Sequence, residues 1–148
     1  SLVIGEHPYL FDEAIWQARG AYMDRTGNRI EVVGESAMMH DANVWRLTGV
    51  MRLKSDPPQE IRNAYEIVPF NQGSDTTSWE SVNPALGKLI GQFTLFEGVI
   101  LSLYHSTDGK FSGTEYLRKI DDLHYENKGA LYQDKKKLSS WEVTLTRQ

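Results

Sequence analysis

The sequence predicts an all-β fold, an antiparallel up-and-down β-barrel of about ten strands with a short N-terminal helical turn. Three observations lead there. Apolar and polar residues alternate with a period of two over most of the chain, turn clusters fall at regular short intervals, and no long amphipathic helix is available for a βαβ crossover. Consecutive antiparallel strands form a meander, and closing it removes the exposed edges. A two-sheet sandwich is the structural competitor. Glycines of inward parity at Gly20, Gly34, Gly49 and Gly91 favour the barrel, whose coiled strands need bends there.

The start is punctuated by Gly5 and Pro8. Between Pro8 and Ile15 there is room for one helical turn, with Tyr9, Leu10, Phe11 and Ala14 as apolar contacts, so it would act as a plug or lid. Alternation begins at Ile15, with Trp16, Ala18, Gly20 and Tyr22 on one face, and Asp24 to Asn28 is a turn cluster. Ile30, Val32, Gly34, Ser36, Met38 and His40 share the next face. After Asp41-Ala42-Asn43 the strand from Val44 to Lys54 carries Trp45, Leu47, Gly49, Met51 and Leu53 on its inner side. This aligns His40 with Trp45 and points His40 inward.

Ser55-Asp56-Pro57-Pro58 breaks the chain. The strand from Ile61 to Val68 turns Ile61, Asn63, Tyr65 and Ile67 inward, and Pro69 ends it. A short strand follows from Thr77 to Val82. Leu123 to Tyr132 and Ser139 to Arg147 supply the last two strands, the latter with Trp141, Val143 and Leu145 on one face.

The stretch from Lys88 to Leu117 reads as three strands and two turns. A three-residue Phe96-Glu97-Gly98 turn would pair Leu95 with Val99 and Phe93 with Leu101, carrying Leu103 and His105 inward. A two-residue Glu97-Gly98 turn would instead leave Val99, Leu101 and Leu103 on the solvent face, so the longer turn is preferred. The following turn leaves two outcomes open. A type I turn with Gly109 as a bulge sends Phe111, Gly113, Glu115 and Leu117 inward, with the better apolar match. A two-residue Asp108-Gly109 turn sends Ser112, Thr114, Tyr116 and Arg118 inward.

The 148 residues suffice for one domain with its own core, spanning 1–148. A net charge of −4 leaves no electrostatic footprint for nucleic acid, and Lys135-Lys136-Lys137 reads as a solvated turn. With no cysteine there are no disulfides, thiolate metal sites or cysteine nucleophiles. No apolar run approaches the ~18 residues of a membrane span, and no signal peptide opens the chain, so a cytoplasmic location is the default expectation. Ser1 in place of Met points to a trimmed or processed end.

A tryptophan on the first strand (Trp16), a ten-strand meander and an arginine closing the last strand (Arg147, in Trp141-Glu-Val-Thr-Leu-Thr-Arg) resemble the calycin superfamily of lipocalin-like and fatty-acid-binding-protein-like barrels. The resemblance implies that the Arg147 guanidinium packs across the Trp16 indole and closes one end. The lipocalin spacing of glycine, one residue, tryptophan is absent. The strand number suits the fatty-acid-binding type, although Asp24 to Asn28 is too short for that type's helical lid.

Either register of the second turn puts an ionisable group inside. Glu115, with His105 and Tyr65, would suit a polar or basic ligand or acid–base work, His105 and Glu115 being the catalytic candidates. Arg118 with Tyr116 would instead hold a carboxylate, as fatty-acid-binding barrels do. The candidate ligand-binding set is therefore Tyr65, Phe93, Leu103, His105, Glu115, Tyr116, Arg118 and Tyr125. The four histidines show no metal spacing. Serine-nucleophile, phosphate-loop and zinc signatures are missing, so no cofactor or metal is expected. Three functional readings follow: binding of a small hydrophobic molecule, an isomerase, cyclase or lyase acting on a hydrophobic substrate, and a self-associating structural domain. The last would dimerise through Ile100, Tyr104 and Ile90 on the outer face.

Overall fold

The computed structural model describes residues 7–148, so the Gly5 punctuation lies outside the described residues. One helical turn, α1 (Pro8–Phe11), precedes ten strands: β1 (Ile15–Met23), β2 (Arg29–His40), β3 (Trp45–Leu53), β4 (Gln59–Ile67), β5 (Thr76–Asn83), β6 (Gly87–Phe96), β7 (Val99–Ser106), β8 (Phe111–Asp121), β9 (His124–Gln133) and β10 (Lys136–Arg147). Each strand pairs antiparallel with its sequence neighbour, and β1 pairs with β10, so the sheet is a closed barrel without a sandwich's free edges. Pro8 suits the first position of α1 because its missing N–H would have no helical acceptor there. Among the described residues, no helix is long and apolar enough to cross a membrane.

The first hairpins follow the alternation. His40 pairs with Trp45, Met38 with Leu47 and Ser36 with Gly49, which keeps the apolar parity of β2 and β3 on one face. Trp16 pairs directly with Arg147, placing both at the same end of the barrel.

That end is closed by α1. Tyr9 and Leu10 are buried, and the Tyr9 ring packs edge-on against Trp16 with centroids 5.5 Å apart. The buried His7 donates from Nε2 to the Phe96 carbonyl at 2.8 Å, while Nδ1 lies 3.0 Å from the Tyr125 hydroxyl. His40 Nε2 donates to the Leu10 carbonyl at 2.9 Å, and its ring stacks on Trp45. The cation–π closure implied by the resemblance is replaced by an ion pair. Arg147 Nη1 donates to Asp12 Oδ2 at 2.6 Å, and the rings against Trp16 are those of Tyr9 and Tyr125. A carboxylate within reach outcompetes an aromatic face for a guanidinium, because the hydrogen bond is charge-assisted.

The turn between β6 and β7 corrects the expected register. It has two residues, Glu97 and Gly98, with Gly98 at φ 75°, and it pairs Phe96 with Val99 and Leu95 with Ile100. Ile100, Ser102, Tyr104 and Ser106 therefore face inward, whereas Leu103 is 57% exposed and His105 lies outside. The apolar-inward rule fails here because this part of the barrel is hollow. A serine and a tyrosine can face a cavity, and single aliphatics on an outer surface are ordinary. The dimer patch drawn through Ile100 and Tyr104 goes with it, since both side chains are inside and Ile90 alone of the three is exposed.

The next turn is also one residue away from expectation. Thr107 to Lys110 span it, Gly109 takes φ 78°, and Ser106 Oγ accepts from the Phe111 amide and donates to Asp108. His105 pairs with Ser112 and Ser102 with Glu115. The two displacements cancel, so from Phe111 onward the inner parity is Gly113, Glu115 and Leu117.

Candidate functional site

Above the plugged end, the barrel holds a partly open cavity of about 200 Å³. Its walls come from every part of the meander. Leu47, Met51, Ile61, Leu89 and Phe93 supply aliphatic and aromatic surface; Tyr65, Trp79, Tyr104 and Trp141 supply rings with polar tips.

The hollow exists because three of those rings lie flat on glycines. Trp79 is paired across β5–β6 with Gly91, Tyr104 across β7–β8 with Gly113, and Trp141 across β9–β10 with Gly129. A Cβ added to these glycines would fall 2.2 Å from Trp79, 2.1 Å from Tyr104 and 2.2 Å from Trp141. Each ring therefore occupies the space of the missing side chain instead of standing into the lumen, a cross-strand device that also shields the glycine backbone.

Glu115 is the interior carboxyl. Its backbone is set by the β7–β8 register, and Trp141 Nε1 donates to Oε2 at 3.2 Å. The Asn127 side chain, inward on β9, bonds to the same carboxyl and also donates to the Tyr116 carbonyl at 3.1 Å. Burial away from bulk water raises the Glu115 pKa to about 7, and the Asn127 and Trp141 hydrogen bonds only partly oppose that effect. The residual exposed surface of Glu115 faces the cavity.

Three phenols share this field. Burial, reinforced by the Glu115 charge, pushes Tyr65, Tyr104 and Tyr9 above the usual tyrosine value, so all three stay neutral. Tyr9 is engaged with Ser36 Oγ at 3.0 Å. Tyr65 and Tyr104 contact Trp79 through their rings, with centroids 4.7 and 5.5 Å away, and their hydroxyls have no protein hydrogen bond among the described residues. They are open to a guest.

The structure divides the sequence-derived set. Tyr65, Phe93 and Glu115 line the cavity. Tyr125 is fully buried beneath the plug, against Trp16 and His7. Leu103, His105, Tyr116 and Arg118 are on the outside. Tyr116 donates to Glu126 at 2.9 Å and Arg118 pairs with the same carboxylate at 3.4 Å, so the internal carboxylate-binding pair does not form. His105 and Glu115 lie on opposite faces of the wall and do not form an acid–base couple. The residues that the sequence reading missed are Asn127, Trp79 and the Gly113 and Gly129 supports. An inward-parity glycine opposite an aromatic residue on the next strand is the signal that would have found the supports.

The wall is weakest between β4 and β5, where only Tyr65, Glu66 and Ile67 find ladder partners. Ile61, Asn63, Asn83 and Leu86 line the cavity beside this short seam.

Gly129→Ala tests the ring supports. The new methyl displaces Trp141 and weakens its bond to Glu115, so the carboxyl loses one group that favours its charged form. The Glu115 titration midpoint, followed by carboxyl-carbon NMR, is expected to move upward from about 7. An unmoved midpoint would mean that Trp141 does not tune the acid.

No family model matches the chain, and no curated protein matches it. Solved structures do. Rv2717c from M. tuberculosis superposes with a TM-score of 0.69 at 16% identity, covering 99% of this chain and 96% of that one. The S-type phycobiliprotein lyase CpeS from Guillardia theta gives 0.64 at 11% identity, covering 93% and 88%. Both neighbours are ten-stranded antiparallel barrels of calycin-like fold, and the likeness at this identity is one of fold.

Proposed function

We propose that this barrel binds a small hydrophobic or amphipathic molecule in its interior. The observation that carries the reading is the interior cavity, walled by aromatic and aliphatic side chains around a single deeply placed carboxyl with two phenol hydroxyls beside it that have no protein hydrogen bond among the described residues. An apolar enclosure with a few convergent polar groups is the usual build of a ligand site. At about 200 Å³ the space is below the ~300–1,000 Å³ of drug-sized pockets, which favours a compact guest. The phycobiliprotein lyase contributes the fold to this reading and not its substrate. Acid–base catalysis by His105 with Glu115 loses its support, because the imidazole is on the outer surface.

Native mass spectrometry of freshly purified protein tests the proposal, followed by titration with small aromatic alcohols while tryptophan emission is monitored. One guest per chain, with altered emission from Trp79 and Trp141, is expected. A chain that takes up none at millimolar concentrations would defeat it.

A further inference from the structure

The charge around the cavity is one-sided. No Lys, Arg or His lines it among the described residues, and of its two carboxylates that of Glu35 is held on the outer surface by Arg52. Glu115 is left as the charge-bearing group of the lumen. Around it stand the Trp141 ring, whose N–H bonds to the carboxyl, and the Tyr65–Trp79–Tyr104 chain of touching rings.

We propose that the guest is a small hydrophobic amine, bound as its ammonium ion with Glu115 as counter-ion and the aromatic faces around it. This rests on the cavity being a ligand site. An anionic guest would enter a lumen with a carboxylate and no cation to meet it, which burial makes costly. An ammonium finds an opposite charge, two phenol oxygens able to accept its N–H bonds, and electron-rich ring faces that attract cations.

The groups facing Glu115 are Tyr9 from the plug segment, Tyr65 from β4, Tyr104 from β7, Asn127 from β9 and Trp141 from β10. The three tyrosines stay neutral and the other two do not titrate, so of the described groups facing one another here Glu115 is the one that changes charge between pH 5 and 8. Without a guest it titrates near neutral pH, and a bound cation draws it to the ionised form.

Isothermal titration of three probes of one shape tests this: phenethylamine, phenethyl alcohol and hydrocinnamate. At pH 8 the amine is expected to bind at least tenfold more tightly than the alcohol, with hydrocinnamate weakest. The amine's lead shrinks roughly tenfold at pH 5.5. Near pH 7 a fraction of a proton is released per amine bound, vanishing towards pH 9, read from buffers of different ionisation heat. In Glu115→Gln the amine-to-alcohol ratio falls to near one. A wild-type preference for the alcohol or the acid, an amine preference that survives in Glu115→Gln, or proton uptake would each overturn the amine assignment alone. Failure of all three probes to bind would overturn the cavity reading beneath it.

Discussion

Glu115→Gln is expected to be more stable than the wild type at pH 8, by about 3 kcal/mol, and nearly equal to it below pH 4.5. In the folded chain the carboxyl titrates near 7, against its usual 4.5. Each pH unit of that displacement corresponds to ~1.4 kcal/mol. The pKa is raised, so it is the ionised form that folding penalises. Below pH 4.5 the group is protonated in both folded and unfolded chains and contributes no difference. As pH rises from 4.5 to 7 the unfolded chain ionises freely while the folded chain resists, and the penalty grows. Above 7 it is complete. Glutamine keeps an acceptor for the Trp141 N–H and carries no charge, so the penalty is absent at every pH. For a chain of this length, 3 kcal/mol is roughly 6–12 °C in Tm. Thermal unfolding of both proteins from pH 4 to pH 9 checks it. Parallel curves, with no divergence between 4.5 and 7, would mean that Glu115 is not the isolated interior charge described here.

Trp16→Ala should cost about 3–5 kcal/mol, because it empties the fully buried side chain on which the plug and the β1–β10 closure meet. The rings of Tyr9 and Tyr125 both lose their partner. Trp16→Phe separates packing from polarity. The indole N–H is buried with no hydrogen-bond partner among the described residues, so phenylalanine loses volume but also removes an unsatisfied donor, itself a defect of about 1–3 kcal/mol. Its net cost is expected near 1 kcal/mol. Urea unfolding of the two variants reads the contrast. Similar losses for Phe and Ala would show that the indole nitrogen matters to the fold in a way that the buried geometry does not explain.

The meander was legible because its signals are local. Period-two alternation and the turn clusters place ten strands, and the His40–Trp45 register follows from facing parities alone. What was not legible depended on the barrel being hollow. Packing Val99, Leu101 and Leu103 inward is sound for a filled core, yet here Ser102 and Tyr104 take that face and look into the cavity. The Glu115 facing was reached through two turn displacements that offset each other. Its hydrogen bonds to Trp141 and Asn127 join strands that only the register brings together, and no motif spacing in the chain announces them. The same holds for His7, a lone histidine whose buried contacts with Phe96 and Tyr125 span nearly the whole sequence.

The three-pair ladder between β4 and β5 bears on kinetics rather than on affinity. A barrel plugged at one end by α1 exchanges its contents through whichever part of its rim or wall opens most readily. With one seam this short, parting a few hydrogen bonds beside Ile61, Asn63 and Leu86 widens access to the lumen, while the plug, the Trp16 cluster and the other nine seams stay intact. If the proposed guest occupies the lumen, a local opening there would let it exchange many times faster than the fold itself turns over.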